Sequence, residues 1–204
     1  MNINLASITQ AQGVVLVEGM SDKAALEALA ERRGQMPGRG GITVVAMGGA
    51  ANARRILDLL GPHGIGVRVA GLRDAGAEGC LRRAVERAGL GFGVSRADME
   101  ALGFYMCTAD LEDELIRALG HAAVEQITRA QGELRSFRTF QKQPAQQGQS
   151  SGEQLHRFMG TRSGPKRQYA RLLAVACAPY GTAPHWNRPC WTVPQWLNPP
   201  PAPR

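Results

Sequence analysis

The 204-residue sequence predicts an α/β fold: a mainly parallel sheet of about four strands flanked by helices, followed by a helical C-terminal part. Two observations carry this reading. Short apolar runs alternate with helical patterns up to Leu119, the arrangement of parallel strands joined by crossover helices. Beyond Ala122 the strand-like runs stop and only helical patterns remain. A hydrophobic content of 44% with 25 glycines suits such a fold.

The elements follow in order. Val14–Val17 is a β-branched run that reads as a buried strand. Asp22 to Arg33 has Ala25, Leu26 and Leu29 at helical spacing, with Asp22 or Ser21 as its cap. Gly34 to Gly41 is a glycine- and proline-rich loop. Ile42–Ala46 is a second strand, ending in Met47-Gly48-Gly49, and Ala50 to Leu60 a second helix. Gly66 to Leu72 forms a third strand and Glu78 to Ala88 a third helix. Phe104–Cys107 is a fourth strand, and Leu111 to Leu119 is helical. Ala122–Gln143, Glu153–Met159 and Lys166–Ala176 read as further helices; the last has Tyr169, Leu172, Leu173 and Ala176 as its apolar face. The chain thus divides into an α/β domain over 1–120, a basic helical subdomain over 121–178, and a tail over 179–204. The tail holds all three tryptophans and, from Pro184 on, seven of the twelve prolines. It fits a disordered extension; a frameshifted reading would give the same break in composition.

The net charge of +7 is unevenly placed. Through Gln131 there are 14 basic and 15 acidic residues; from Gly132 onward there are 10 and 2. That asymmetry suits a polyanion partner, and equally a solvated basic surface. No apolar run approaches the ~20 residues of a membrane span, and the N-terminus lacks the pattern of a signal peptide. Cys80, Cys107, Cys177 and Cys190 form no CxxC pair, so reduced thiols in a cytoplasmic protein are expected. His63, His121, His156 and His185 are scattered and read as surface residues.

In a parallel sheet all strand C-termini share one edge, where ligands bind. Glu18 follows the first strand, Asp74 the third, and Asp110 and Glu112 the fourth; Asp22 joins them from the first helical turn. Carboxylates gathered in this way repel unless a cation sits among them, and hard divalent cations prefer such oxygen ligands. Taken singly, Asp22, Asp110 and Glu112 also suit helix N-termini. Glu18 and Asp74, directly after buried strands, need a partner or a ligand. Gly48-Gly49 lies on the same edge, where a glycine pair lets backbone amides approach a phosphate, or simply makes a turn. There is no Walker loop and no Ser-His-Asp or Cys-His set.

The segments VLVEGMSDKAAL, VVAMGGAAN and GLRDAGAEG together resemble the TOPRIM (topoisomerase-primase) domain over roughly Gly13 to Gly120. TADLEDELI at 108–116 and GTRSGPKRQYARLLA at 160–174 are similar to segments of overcoming-lysogenization-defect (OLD) type nucleases. The resemblance implies a Rossmann-like TOPRIM sheet and a divalent-metal-dependent endonuclease or nickase acting on DNA. It places Glu18 and Asp22 at the first acidic pair, Asp74 at the first aspartate of DxD and Glu112 at a later acid. Lys166 stands where the helical part supplies a lysine. Glu18 and Lys166 are then expected to be catalytic, with Mg²⁺ or Mn²⁺ held by Glu18, Asp22, Asp74, Glu78 and Glu112. Glu78 enters because the second aspartate of DxD is Gly76 here. In this family an ABC-type ATPase usually precedes the two parts, so a separate ATPase is an expected partner, and a homodimer is left open. The alternative is a catalytically impaired TOPRIM module that binds nucleic acid or the ATPase; a primase- or transferase-type enzyme would share only the fold.

Overall fold

Strand β1 (Gly13–Val17) is buried along its whole length, as its unbroken apolar sequence requires of a strand covered on both faces. The computed structural model describes residues 5–32, 41–160 and 163–177. The expected loop at 34–40 and the tail at 179–204 lie outside the described residues. A short helix α1 (Leu5–Thr9) precedes β1, and α2 (Met20–Arg32) leads to β2 (Ile42–Ala46). After one 3₁₀ turn come α3 (Ala53–Leu60) and β3 (Val69–Arg73), then α4 (Glu78–Arg87), α5 (Arg96–Ala101) and β4 (Phe104–Met106). The C-terminal part consists of α6 (Leu111–Leu119), α7 (His121–Ala130), α8 (Leu134–Gln141), α9 (Ser151–Gly160) and α10 (Ser163–Cys177).

The sheet has the order β2-β1-β3-β4, and every pairing is parallel. The chain builds outward from β1 first to β2, then to β3 on the other side. The C-terminal ends of β1 and β3 therefore flank the point where the strand order reverses, the usual binding crevice of an open parallel sheet. Alternate residues feed two cores. Val15, Val17, Ala70 and Leu72 pack with α2, α6 and the C-terminal helices. Val14, Leu16, Val69 and Phe104 pack with α1, α3, α4 and α5.

Several boundaries differ from the sequence expectation for physical reasons. Helix α2 starts at Met20, because Gly19 takes the N-cap: its carbonyl accepts the Lys23 N–H at 3.2 Å. Asp22 is thus not the cap but the third helical residue, reaching back to accept the Gly19 N–H at 2.8 Å. Strand β3 begins later than expected and extends one residue further, to Arg73. Helix α5 was not anticipated; a capping box between Ser95 and Asp98 starts it. The single helix expected over 122–143 is two, broken where Gly132 adopts φ 73°. Helix α10 is rotated from the expected face: Tyr169, Ala170, Leu173, Ala174 and Cys177 are buried, while Leu172 and Ala176 are only half-buried. Ala174 fits among Ala25, Leu26, Leu29, Leu111 and Leu115.

Gly71 leaves no room for a side chain in the sheet. A Cβ there would lie 2.8 Å from the ring of Phe104, which is itself 1% exposed. The buried ring has nowhere to retreat. Gly71→Ala is expected to cost about 1–3 kcal/mol of stability, as overpacking does; denaturant unfolding checks this, and an unchanged midpoint would contradict it.

Candidate functional site

The site is assembled from strand ends on the sheet's C-terminal edge and from two helices that cross it. β1 delivers Glu18, β3 delivers Asp74, and the first turns of α2 and α6 deliver Asp22 and Glu112. These groups share one electrostatic field. Burial, then the charges of Glu112 and Asp74, push Asp22 up to about 7 despite the Gly19 N–H that stabilises its anion. Burial, then Glu18, Asp110 and Glu112, push Asp74 up to about 6. Two ordinary carboxylates thus become reluctant to ionise, chiefly because burial strips them of water and further because acidic neighbours crowd them.

Two cations of the protein enter from opposite faces of the sheet. Lys166, in the first turns of α10, places Nζ 3.3 Å from Oε1 of Glu112, whose side chain is only 4% exposed. Burial alone would lower the lysine's pKa, but Glu112, Asp110 and Asp22 outweigh it and hold the ammonium above its ordinary value. On the other face Arg73 places Nε 3.5 Å from Oε2 of Glu18. Sequence reasoning missed Arg73, because the strand was expected to end at Leu72. Its only signal is a charged residue directly behind an apolar run.

His156 is a second omission. It was read as a surface residue, yet from α9 its Nε2 lies 2.7 Å from Oδ2 of Asp110. Asp110 also caps α6, accepting the Asp113 N–H at 2.9 Å. Burial would raise the Asp110 pKa, but these two partners lower it, while the Asp110 hydrogen bond raises that of His156. The link spans 46 residues of sequence, so no local pattern announces it.

Glu78 heads α4 and is half-buried. Gly48 and Gly49 do adopt positive φ, 69° and 117°, as a glycine turn requires. The Gly48 amide, however, donates to the Glu18 carbonyl at 3.1 Å and so is already engaged. Among the described residues, no three His, Cys, Asp or Glu side chains close on one chelating point. In this geometry Glu18 and Glu112 each lean toward a cation of the protein. The donor chemistry nonetheless suits a hard cation: all the groups are carboxylates, and Glu18 Oε2 and Glu112 Oε1 are buried without an aligned hydrogen bond.

The remaining expectations about side chains are simpler. Cys107 and Cys177 are buried, and burial pushes the Cys177 thiol up to about 12. Among the described residues, no helix is long and apolar enough to cross a membrane.

Comparison with known proteins gives a consistent picture. Residues 11–75 match the family described as overcoming lysogenization defect protein-like, TOPRIM domain. The chain is similar in structure to the C-terminal region of the Xanthomonas campestris pv. campestris OLD protein, with a TM-score of 0.57 and 23% identity over 82% of this chain and 85% of that one. It is also similar to the C-terminal region of the Burkholderia pseudomallei OLD protein, with a TM-score of 0.57 and 20% identity over 80% and 87% of the two chains. No curated protein matches the sequence. Residues 11–75 are thus similar to the TOPRIM domain of OLD-like proteins, within a chain that has the fold of OLD C-terminal regions.

Proposed function

We propose that the protein is a divalent-metal-dependent nuclease that cuts or nicks DNA. The observation that carries this is the cluster of Glu18, Asp22, Asp74 and Glu112 where the strand order reverses, with Lys166 beside Glu112 and with Asp22 and Asp74 harder to ionise than ordinary aspartates. In this reading Asp22, Asp74, Glu112 and Glu18 hold Mg²⁺ or Mn²⁺, which when bound supplies an activated water and charge neutralisation for phosphodiester hydrolysis. Lys166 lies 37% exposed at the cluster, where its ammonium can meet a non-bridging phosphate oxygen as charge develops there. The basic C-terminal third supports binding of the phosphate backbone without base readout. A separate ATPase partner remains part of the proposal.

A second reading, a TOPRIM module with impaired catalysis, is favoured by Gly76, where the family pattern has an aspartate. Gly76 itself is exposed, and a Cβ built on it meets nothing within 4 Å.

The plainest test is conversion of supercoiled plasmid to nicked or linear DNA with Mg²⁺ or Mn²⁺ and not with a chelator; Asp74→Ala should abolish it. A plasmid left intact under all metals would favour the second reading. Lys166→Ala should slow cleavage by about 100-fold at saturating DNA while changing affinity little; cleavage at the wild-type rate would remove Lys166 from catalysis. Gly76→Asp should tighten Mn²⁺ binding several-fold by supplying the missing oxygen ligand, measured by titration of the folded protein.

The raised carboxylates give a test that needs no activity. The folded protein holds these protons more tightly than the unfolded chain, whose Asp pKa is near 3.8. Their contribution to stability is therefore present below that pH and lost as pH rises through about 6 and about 7. In metal-free buffer at pH 8, Asp22→Asn should be more stable than wild type by on the order of a few kcal/mol. The gap should close toward pH 4, or on addition of Mg²⁺. Equal melting temperatures across that range would show that the crowding is relieved in solution.

A further inference from the structure

A guanidinium taken out of water needs a compensating carboxylate, and removing one partner leaves an expensive lone charge. The side chain of Arg73 is 0% exposed. It lies on the same side of β3 as Val69, reaching Met47 of that core, with Nη1 3.7 Å from the thioether sulfur. Its ion-pair partner is Glu18, on the adjoining strand end, at 3.5 Å. Among the described residues Nε and Nη2 find no hydrogen-bond partner, and neither does Glu18 Oε2, although all three atoms are buried. The guanidinium is thus fixed by its strand and by packing, and not by a polar network. Glu18 is different. Its side chain is 32% exposed, so one oxygen is anchored inside while the carboxylate as a whole reaches the crevice.

We propose that Arg73 is a positioning residue for Glu18, setting the direction in which that carboxylate faces the divalent cation. This rests on the metal-dependent reading above. Two roles for Arg73 give opposite results. A guanidinium acting only as a nearby positive charge opposes a bound cation, so removing it tightens metal binding. A guanidinium that orients a ligand loosens metal binding when removed, by the ~10-fold or more typical of groups that hold a ligand in place.

The experiment measures Mn²⁺ affinity from the electron paramagnetic resonance signal of free Mn²⁺. It compares wild type, Arg73→Met, Arg73→Lys, Glu18→Gln, and each Arg73 variant combined with Glu18→Gln. Arg73→Met is expected to bind Mn²⁺ about tenfold more weakly, Arg73→Lys to recover part of the loss, and neither to lose more once Glu18 is Gln. Unchanged or tighter binding by Arg73→Met, or an equal loss in the Glu18→Gln background, overturns the proposal. If Arg73→Met does not melt cooperatively, Arg73→Lys decides alone: a loss that vanishes in the Glu18→Gln background supports the role, and one that persists refutes it. A wild-type protein that does not bind Mn²⁺ overturns the metal reading itself, and this inference with it.

Discussion

Ala170 and Ala174 let α10 settle closely on α2, and through that contact the C-terminal helices reach the edge of the sheet. The face of β1 and β3 carrying Val15, Val17, Ala70 and Leu72 is strongly apolar and needs a cover. Helix α2 covers part of it; α6, α9 and α10 complete it within the same core. One consequence is positional. The helix that closes the core starts beside the acidic crevice, so Lys166 arrives at Glu112 as a result of packing. Tyr169, one turn on, ties the same helix to α8's approach through a 2.8 Å hydrogen bond to Glu133.

The balance of charge in the crevice follows from which carboxylates find a cation. Glu112 has Lys166 from one face, Glu18 has Arg73 from the other, and Asp110 has His156. Among the described residues, Asp22 and Asp74 have no such cation at contact distance, and they are the carboxylates whose ionisation is suppressed most. The sheet edge therefore carries a localised deficit of positive charge between two compensated flanks. That deficit lies at the strand-order reversal, where backbone geometry already opens a cleft.

Much of this was legible in the sequence because the signals were local. Unbroken apolar runs gave β1 and β2 almost to the residue, and strand ends placed Glu18, Asp74 and Glu112 on one edge. What stayed hidden depended on contacts between distant segments. The Arg73 guanidinium looked like the start of a loop, since only the pairing of β3 with β4 carries the strand that far. The link from His156 to Asp110 exists only once α9 packs on α6. The buried face of α10 was misjudged by about one position. Hydrophobicity favours Leu172, but the close approach to α2 selects the smaller Ala170 and Ala174.

Lys23 shows how the open sheet is finished. Among the described residues β2 is an outer strand, paired to β1 alone. In a parallel ladder alternate residues turn their peptide groups to opposite sides, and Met47 and Gly41 bond toward β1, so the Val44 carbonyl faces outward. Lys23 donates to that carbonyl at 2.6 Å and is steadied by Glu27 at 2.7 Å. A charged side chain from the neighbouring helix thus occupies the acceptor that an added strand would need at the middle of β2. Edge-to-edge growth of the sheet, the usual hazard of an apolar outer strand, is blocked there by a residue that the helix presents to the sheet and not by the strand's own sequence.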